Sequence, residues 1–595
     1  MGNLYLDSEK LYFSFISGAY KVIQNKNILN EINVFPVADS DTGNNLASTM
    51  NSIIRNSKVF KSIKATMNNI ADAALIGARG NSGIIIAQYI NGIAENLKEG
   101  DKIDVHSFAE ALKNAVPYAY NAISNPVEGT IITVINDWAE SICKYKEVVR
   151  DFYELFSMSM ETALRSLSET TSKLKALEYS KVVDSGAKGF VFFLEGFMEF
   201  LKTGELKDNS FYDIEKVEFS EEAEHDLEKI TNRFCTEALI KGKGIDVNLL
   251  KKQLKPYGDS IIVAGNERMI RVHIHTNKPE EVFYFLKDKG EIIQQKVDDM
   301  VRQYEVSHKK KYNIALVTDS IADLPKEIMD LYQIHMIPLE LTIDGTTYLD
   351  KKTINSQIFY KLLNEALEYP KSTQPNYKLV VNYFKFLTNY YDEIIVITVS
   401  SEQSGTYNVF KKASQEFVKK GKRIEVIDSK QNSAAEGLLV IKAAELIHEG
   451  YSFDEITKII NEQIKKTKIL VSFNTLKYII KSGRLSKTQG IIAKIINLKP
   501  IASLDENGRG VVIGKAFSEK GNIKSLMKII KKCDANNKVL RYAISHASNY
   551  EKAKKFEELG FKFLGKRPEY IIDISAIGVS TAGIGTVAVA YMWDK

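Results

Sequence analysis

Residues 35–45 read Phe35-Pro36-Val37-Ala38-Asp39-Ser40-Asp41-Thr42-Gly43-Asn44-Asn45. This run places two carboxylates, Asp39 and Asp41, two residues apart among small polar residues. Magnesium prefers oxygen ligands, and proteins usually offer it one or two carboxylates while water and substrate phosphate complete the octahedron. The same composition is also typical of an acidic surface turn. We interpret Asp39 and Asp41 as candidate catalytic residues that bind Mg²⁺, with the surface turn as the alternative.

Three later glycine-containing turns stand beside helical runs. They read Gly77-Ala78-Arg79-Gly80-Asn81-Ser82-Gly83, Pro126-Val127-Glu128-Gly129-Thr130-Ile131 and Val183-Asp184-Ser185-Gly186-Ala187-Lys188-Gly189. Glycine lets backbone N–H groups approach phosphate oxygens, and a helix N-terminus adds partial positive charge. The spacing of the first turn matches neither the Walker A motif nor the dinucleotide fingerprint. Each turn taken alone is equally typical of a helix cap.

In this order the four stretches resemble the nucleotide-binding domain of dihydroxyacetone kinases and, more closely, the ATP-binding domain of bacterial fatty-acid kinase. The family pattern reads D-G-D-T-G-x-N-M, G-A-R-G-N-S-G, P-V-E-G-T and V-D-x-G, and this chain departs from it at Ser40 and Leu46. The resemblance implies an all-α barrel of eight helices with ATP at one end and Mg²⁺ on Asp39 and Asp41. The further cofactor-binding residues that it implies are Thr42, Asn45, Gly80, Asn81, Ser82 and Gly83 for the phosphates, and Thr130 and Asp184 for the nucleoside.

The composition is that of a large globular protein. The chain has 595 residues, 44% of them hydrophobic, which predicts three or four domains. Its net charge of +5 is spread without long basic runs, so we expect no nucleic-acid partner. Three distant cysteines favour a reducing compartment, so we expect a cytoplasmic protein. We also expect no targeting segment and no integral membrane segment, because no uncharged apolar run approaches the roughly 20 residues that a membrane helix needs.

The middle of the chain carries a candidate metal site. Ile261–Ala264 and Met269–His275 are predicted to be two strands joined by a short turn, and alternation along the second strand places His273 and His275 on one face. With Cys235 they form a ligand set that suits zinc. Two half-buried histidines and an inert thiol are the alternative. Fatty-acid kinase has a similar Y-C-T-E segment and V-H-V-H-T strand, and the resemblance implies zinc on Cys235, His273 and His275, with a fourth ligand left open.

From Tyr312 onward, apolar strands end in polar turns and alternate with helical stretches. This pattern is typical of an α/β domain with a buried parallel sheet, whose ligands bind beyond the carboxyl ends of the strands. The polar turns are rich in hydroxyl groups. Clustered hydroxyls suit a carboxyl head group better than a triphosphate, which calls for basic residues or a metal.

This half resembles the DegV-type fatty-acid-binding proteins. The matching segments read Val317-Thr318-Asp319-Ser320, Ser372-Thr373-Gln374-Pro375, Ser400-Ser401-Glu402-Gln403-Ser404-Gly405-Thr406 and Ser482-Gly483-Arg484-Leu485-Ser486. The resemblance implies a two-lobed α/β domain. The residues that it implies for the fatty-acid carboxyl are Ser372, Thr373 and either Ser401 or Ser404, with Arg484 as a looser candidate, while Thr581 stands where the family usually has a histidine. A hydroxyl cannot carry positive charge, so the mode of head-group binding is open.

Taken together, these resemblances predict three domains. They are a dihydroxyacetone-kinase-like ATP- and Mg-binding helical domain (1–205), a middle α/β domain (219–308) and a DegV-type domain (312–595). The implied function is ATP-dependent phosphorylation of a long-chain fatty acid to an acyl phosphate. Two alternatives stay open: a kinase for a small hydroxylated substrate such as dihydroxyacetone, and a lipid-binding or regulatory protein with a non-catalytic nucleotide site. We expect ATP, Mg²⁺ and Zn²⁺ as cofactors, a long-chain fatty acid and a downstream acyltransferase as partners, and a homo-oligomer.

Overall fold

The computed structural model describes residues 3–34, 42–123, 126–206, 231–242, 244–266, 268–475, 477–482 and 499–594. Asp39, Asp41 and Arg484 lie outside these residues. The chain divides into two compact units, the first formed by residues 1–278 and 285–304, the second by residues 279–284 and 305–595. Across the described residues, no helix meets the length and hydropathy that a membrane span requires.

The first unit begins with a helical domain that contains eight helices of 15 or more residues in its described part. They are α1 (Ser8–Gln24), α3 (Thr42–Asn56), α4 (Ile63–Gly77), α5 (Gly80–Asn96), α6 (Val105–Asn121), α7 (Ile131–Tyr145), α8 (Phe152–Lys173) and α10 (Ser185–Thr203). Two short helices, α2 (Lys26–Glu31) and α9 (Lys175–Ser180), and the antiparallel strands β1 (Tyr5–Asp7) and β2 (Lys102–Asp104) complete it.

The eight long helices form a closed ring around an aromatic core. Each packs against the next long helix along the chain, and α10 packs against α1. Closure is tight, because a Cβ on Gly196 would lie 2.5 Å from the carbonyl oxygen of Ser17. Inside the ring, the Trp138 and Phe156 rings meet edge to face at 5.4 Å, and Phe156 stacks on Phe197 at 4.8 Å. The expected eight-helix barrel is confirmed, and its interior is a packed core.

The middle domain is built on a four-stranded sheet. Its elements are β3 (Phe234–Lys241), α11 (Val247–Leu254), a 3₁₀ turn (Lys255–Tyr257), β4 (Asp259–Gly265), β5 (Met269–Thr276), α12 (Pro279–Leu286), β6 (Glu291–Asp299) and α13 (Met300–His308). The strands run in the order β4-β5-β3-β6, and every neighbouring pair is antiparallel. The two strands predicted from the sequence are β4 and β5, each slightly longer than expected.

The second unit contains three sheets in its described part. Its first half comprises β7 (Ile314–Asp319), α14 (Lys326–Leu331), β8 (His335–Ile337), β9 (Glu340–Ile343), β10 (Thr346–Leu349), α15 (Ser356–Glu365), β11 (Lys371–Thr373), α16 (Tyr377–Tyr390), β12 (Glu393–Thr398), α17 (Thr406–Val418), β13 (Arg423–Asp428), α18 (Ser433–His448) and α19 (Phe453–Ile464). Its second half comprises β14 (Thr467–Ser472), α20 (Lys477–Lys481), β15 (Lys499–Leu504), β16 (Gly510–Ala516), α21 (Glu519–Asn537), β17 (Val539–His546), α22 (Tyr550–Leu564), β18 (Ile571–Asp573), α23 (Ala576–Ala582) and β19 (Val587–Trp593).

One sheet is parallel, in the order β13-β12-β7-β8, and a second is mixed, in the order β16-β15-β14-β19-β17-β18. A small antiparallel sheet, β10-β9-β11, stands apart from both. Helix α18 packs against strands of both large sheets and is buried along most of its length. A helix that is apolar all round belongs in an interior, which fits this position. The expected α/β architecture is confirmed.

Candidate functional site

The glycine turn between α4 and α5 lies against the first turn of α3. Gly80 has a φ of +55°, and a Cβ at this position would lie 2.3 Å from Nδ2 of Asn45. A Cβ on Gly83 would lie 2.7 Å from Oγ1 of Thr49, in the second turn of α3. Glycine at residue 80 therefore suits the left-handed backbone and leaves room for the Asn45 amide, which a methyl group would displace. The N-termini of α3 and α5 meet here.

The N-termini of α7 and α10 join the same cluster. A Cβ on Gly186 would lie 2.8 Å from Oγ of Ser82 and 3.4 Å from Cβ of Ile131. The Asp184 carboxylate accepts the backbone N–H of Ala187 at 2.8 Å and is close enough to that of Ile131 for its pKa to respond to it. Asp184 therefore caps α10 beside the start of α7. Burial raises the pKa of Asp184 to about 6, although these two N–H groups act in the opposite direction.

Four helix N-termini therefore converge at one end of the barrel. Each carries N–H groups without intrahelical acceptors and partial positive charge, and together they form an environment suited to phosphate. The structure brings together the predicted residues Asn45, Gly80, Ser82, Gly83 and Asp184. The donor set fits a nucleotide polyphosphate.

Other predicted residues occupy the same helix starts. Thr42 opens α3 and is buried, while Asn81 is exposed in the first turn of α5. Thr130 immediately precedes α7, and its hydroxyl donates to the Val127 carbonyl at 2.7 Å. Sequence reasoning missed Asn30, whose Oδ1 accepts the N–H of Asn44 at 3.2 Å and ties α2 to α3. No sequence motif marks this contact.

The middle sheet brings the three predicted metal ligands together. Cys235 and His275 are directly opposite each other on β3 and β5, and Sγ of Cys235 lies 3.8 Å from Nδ1 of His273. One ligand atom from each residue lies within 4.8 Å of the other two. A thiolate and two imidazoles in this proximity fit a zinc ion that takes a fourth ligand from another residue or from water.

A buried ion pair adjoins this cluster. Nη2 of Arg271 donates to Oε2 of Glu237 at 2.7 Å, and Oε1 of Glu237 lies 3.6 Å from Nδ1 of His273. Burial alone would raise the pKa of Glu237, but Arg271 and then His273 hold it well below its usual range. The carboxylate is therefore a fixed negative charge beside the cluster. Sequence reasoning missed both members of the pair, although they lie on the two strands that carry the predicted ligands.

The second unit encloses a cavity of about 530 Å³, in the size range of small-molecule sites. It lies where β7 and β12 of the parallel sheet end, against β14, β15 and β19 of the mixed sheet. The apolar side chains of its wall are Ile321, Leu339, Val399, Ile469, Val471, Phe473, Ile479, Ala502, Leu504, Ile574, Ile577, Ala582 and Ala588. Most of the wall thus suits a hydrocarbon.

Four predicted substrate residues line this cavity: Ser372, Thr373, Ser404 and Thr581. Ser401 does not, because its hydroxyl donates to Oδ2 of Asp428 at 2.5 Å and it takes no part in the wall. The prediction left Ser401 and Ser404 as alternatives, and the geometry favours Ser404.

Sequence reasoning missed several polar residues of the wall. Gln374 and Gln403 belong to the two motifs already singled out, so their motifs offered a signal. Asp323 and Ser433, in contrast, lie in no motif that marked them as residues of a binding site. Asp323 accepts the Ser433 hydroxyl at 2.5 Å and lies 3.0 Å from Nζ of Lys351, so its charge is compensated within the protein.

Thr373 has a carboxylate neighbour of its own. Its hydroxyl donates to Oε2 of Glu340 at 3.4 Å. Burial raises the pKa of Glu340, and this hydrogen bond acts in the opposite direction. A second carboxyl group near Thr373 would compete for the same hydroxyl. Thr373 therefore already has a hydrogen-bond acceptor within the protein.

The structure is that of a multidomain chain, with clustered helix N-termini at one end of a helical barrel and an apolar cavity in an α/β domain. Three family models match it: the DAK2 domain over residues 36–199, the middle domain of fatty-acid-kinase-like proteins over residues 231–307, and the DegV family over residues 313–594. The chain therefore joins a DAK2 domain, a fatty-acid-kinase-like middle domain and a DegV family domain. Its amino-terminal part is a kinase-like module.

Curated relatives match about half of the chain. Uncharacterized proteins of Staphylococcus epidermidis and Staphylococcus saprophyticus are 32% and 33% identical over 335 and 321 residues, which is 52% of this chain in each case. An uncharacterized protein of Staphylococcus aureus is 34% identical over 311 residues, or 50% of this chain. The matched regions span 60%, 58% and 56% of these relatives, so the chain covers less than two thirds of their length.

Solved structures of DegV proteins resemble part of the chain. A fatty acid binding DegV protein from Bacillus subtilis is 30% identical. The match covers all of that protein and 48% of this chain, with a TM-score of 0.43. A fatty acid binding DegV family protein from Streptococcus agalactiae is 27% identical. That match also covers the whole solved protein and 48% of this chain, with a TM-score of 0.44.

Proposed function

We propose that this chain phosphorylates a long-chain fatty acid, converting ATP and the acid to an acyl phosphate and ADP. The observation that carries the proposal is the presence, on one chain, of a DAK2 barrel with four convergent helix N-termini and a DegV domain with an apolar cavity. Neither feature alone separates this reaction from the alternatives. A small-substrate kinase has no need of the cavity, and a lipid carrier has no need of the helix cluster.

The barrel end has the properties of a phosphoryl-transfer site. Catalysis of phosphoryl transfer is mainly positioning and charge neutralisation. The first turns of α3, α5, α7 and α10 present N–H groups toward one region, and Asp184 caps α10 beside the start of α7. ATP would supply the phosphoryl group, and Mg²⁺ on Asp39 and Asp41 would neutralise phosphate charge. We also propose Cys235, His273 and His275 as the ligands of a zinc ion in the middle domain.

The cavity has the properties of an acyl site. Burying a tail of about sixteen carbons at about 0.8 kcal/mol per CH₂ is worth on the order of 10 kcal/mol, so the apolar wall dominates affinity. Ser372 and Ser404 would bind the carboxylate, with Thr581 as a neutral neighbour where related proteins usually have histidine. A neutral hydrogen bond contributes only about 1 kcal/mol, so the missing histidine does not prevent binding. No general base is needed, because a carboxylate is ionised at neutral pH.

Two measurements test the proposal on the purified chain. Mass spectrometry of extracted lipid is expected to find a long-chain fatty acid, and ATP turnover is expected to depend on added oleate. Asp41→Ala should abolish turnover while leaving bound lipid unchanged. Ser404→Ala should raise the oleate concentration needed for half-maximal turnover, whereas Ser401→Ala, whose hydroxyl is held by Asp428, serves as the matched control.

The alternatives give different results. Turnover that dihydroxyacetone stimulates and oleate does not would favour a kinase for a small hydroxylated substrate. Bound lipid with no ATP turnover under any addition would favour a regulatory lipid-binding protein. If the fatty-acid reaction holds, an acyltransferase that consumes the reactive acyl phosphate is the expected partner, which places the product in acyl-lipid synthesis.

A further inference from the structure

The β4–β5 hairpin of the middle sheet contacts both helices that the glycine turn connects. Nδ2 of Asn266 donates to Oδ1 of Asp72 on α4 at 3.0 Å and to Oδ1 of Asn91 on α5 at 3.2 Å. Asn91 in turn donates to the Gly265 carbonyl at 3.4 Å, and Arg268 donates to Asp72 at 3.1 Å. A single hairpin therefore fixes the spacing of α4 and α5. The glycine turn, residues 77–83, spans the gap between them.

Arg271, on β5, reaches the end of α4 itself. Its Nη1 donates to the Ile76 carbonyl at 3.1 Å and approaches the Leu75 carbonyl at 3.5 Å. These carbonyls belong to the last turn of α4, where intrahelical donors run out and a cation is favourable. Ile76 immediately precedes Gly77. The guanidinium thus holds the backbone at the point where the glycine turn begins.

Glu237 connects this contact to the candidate metal cluster. It pairs with Arg271 at 2.7 Å and lies 3.6 Å from Nδ1 of His273, one of the three clustered ligands. Arg271 and Glu237 are 6% and 7% exposed. Removing either partner of such a buried ion pair leaves an uncompensated charge in the protein interior. A continuous series of contacts therefore runs from His273 through Glu237 and Arg271 to the end of α4.

We propose that Arg271 is a positioning residue that orders the glycine turn for phosphate, and that a metal ion on Cys235, His273 and His275 sets how firmly it does so. The proposal rests on the function proposed above, since the glycine turn is assigned to nucleotide there. It makes the middle domain a support for the nucleotide site. It also makes nucleotide affinity respond to the metal.

Amide hydrogen exchange of the full chain without nucleotide tests the positioning role. Arg271→Met and Arg271→Lys are expected to speed exchange of residues 76–83 at least tenfold. The lysine variant keeps a positive charge beside Glu237, so it avoids the unfolding that an unpaired buried carboxylate would cause. Its single ammonium group cannot also contact both carbonyls at the end of α4. Arg268→Met is the matched control: it lies on the same hairpin and contacts the same helix, but it is half exposed, and we expect no change in that segment. Unchanged exchange in the folded Arg271→Lys variant would overturn the proposal.

Metal removal tests the link to the cluster. Chelation of the wild-type chain should speed exchange in residues 76–83, and added Zn²⁺ should restore protection. In Arg271→Lys, chelation should add little, because the connection is already broken. If chelation acts equally in both chains, or in neither, the metal does not act through Arg271.

Nucleotide binding separates failure of this proposal from failure of the proposed function. Arg271→Lys should weaken ATP binding about tenfold, visible as a raised KM for ATP with kcat little changed. If the wild-type chain binds no ATP, the proposed function is wrong, while the exchange result still decides whether Arg271 orders the turn. If ATP binds equally well to wild type and Arg271→Lys, the positioning role is wrong and the proposed function stands.

Discussion

Gly80 shows how one residue can serve both a backbone conformation and a neighbouring side chain. Its φ of +55° costs an L-residue about 1–2 kcal/mol, and its missing Cβ leaves room for the Asn45 amide. Gly204 also has a positive φ, +70°, but a Cβ there would meet nothing within 4 Å. A comparison of substitutions at the two positions therefore separates the cost of the backbone conformation from the cost of the contact with Asn45.

We expect Gly80→Ala to lower both stability and nucleotide affinity, because the new methyl group displaces Asn45. Gly204→Ala should lower the free energy of unfolding by about 1 kcal/mol and leave nucleotide affinity unchanged. Denaturant unfolding and fluorescent-nucleotide titration measure the two effects. Equal nucleotide affinity in Gly80→Ala and wild type would show that Asn45 does not depend on this space.

Three buried carboxyl groups of the second unit predict its pH dependence. Burial raises the pKa of Asp319 and of Asp350 to about 6 and raises that of Glu436 well above its ordinary value. The folded state therefore binds more protons than the unfolded state above about pH 4. The stabilisation from these groups is fully present below that pH and is lost as pH rises through 6, roughly 3 kcal/mol per aspartate.

We expect the free energy of unfolding of this unit to fall between pH 4.5 and pH 7.5, and Glu436→Gln to make the fall shallower. The chain has two tryptophans, so a Trp138→Phe background leaves Trp593 on β19 as the reporter of this unit. Denaturant titrations at several pH values give the slope. A Glu436→Gln variant with the wild-type slope would exclude Glu436 from this titration.

At the scale of elements, the α1–α10 contact closes the barrel. Gly196 in α10 leaves 2.5 Å between a Cβ and the Ser17 carbonyl, and Gly18 of α1 lies beside it. In an exposed helix, glycine to alanine gains about 0.5–1 kcal/mol of helix stability. Here the backbone of α1 cannot retreat without opening the ring. The close approach of the two helices therefore makes the expected change in stability on Gly196→Ala unfavourable.

We therefore expect Gly196→Ala to destabilise the helical domain by about 1–3 kcal/mol, as overpacking does. In a Trp593→Phe background, the fluorescence of buried Trp138 follows that domain alone. Unchanged or increased stability would show that α1 and α10 separate easily and that helix propensity prevails.

Element prediction succeeded where local chemistry is strong. The strands β4 and β5 were expected from alternation and a Gly-Asn turn, and the parallel strands β7, β12 and β13 from apolar runs that end in polar residues. The strand order of the middle sheet was not predicted, because β3 and β6 lie far apart in sequence and become neighbours only in the folded chain.

At the scale of the whole molecule, the kinase-like module and the DegV domain occupy one chain, so their covalent linkage can hold the effective concentration of one for the other near millimolar. We expect phosphoryl transfer from ATP to the fatty acid within one chain to dominate at low protein concentration. A mixture of Asp41→Ala with a cavity-filling Ala588→Phe variant should then show less than a tenth of wild-type turnover below about 1 μM. Turnover restored to the wild-type level by mixing would contradict this and show that the modules exchange between molecules.

The sequence determined the class of each domain and the motifs of each site, because glycine turns, alternating strands and polar strand ends are local features with local causes. The tertiary structure decided which of those residues meet. It separated Ser404 from Ser401, brought Asp184 between two helix starts, and placed Arg271 against the end of α4. The contact of Arg271 with the Ile76 carbonyl joins residues 195 positions apart, and the energies of such contacts depend on burial and distance, which arise only when the chain has folded.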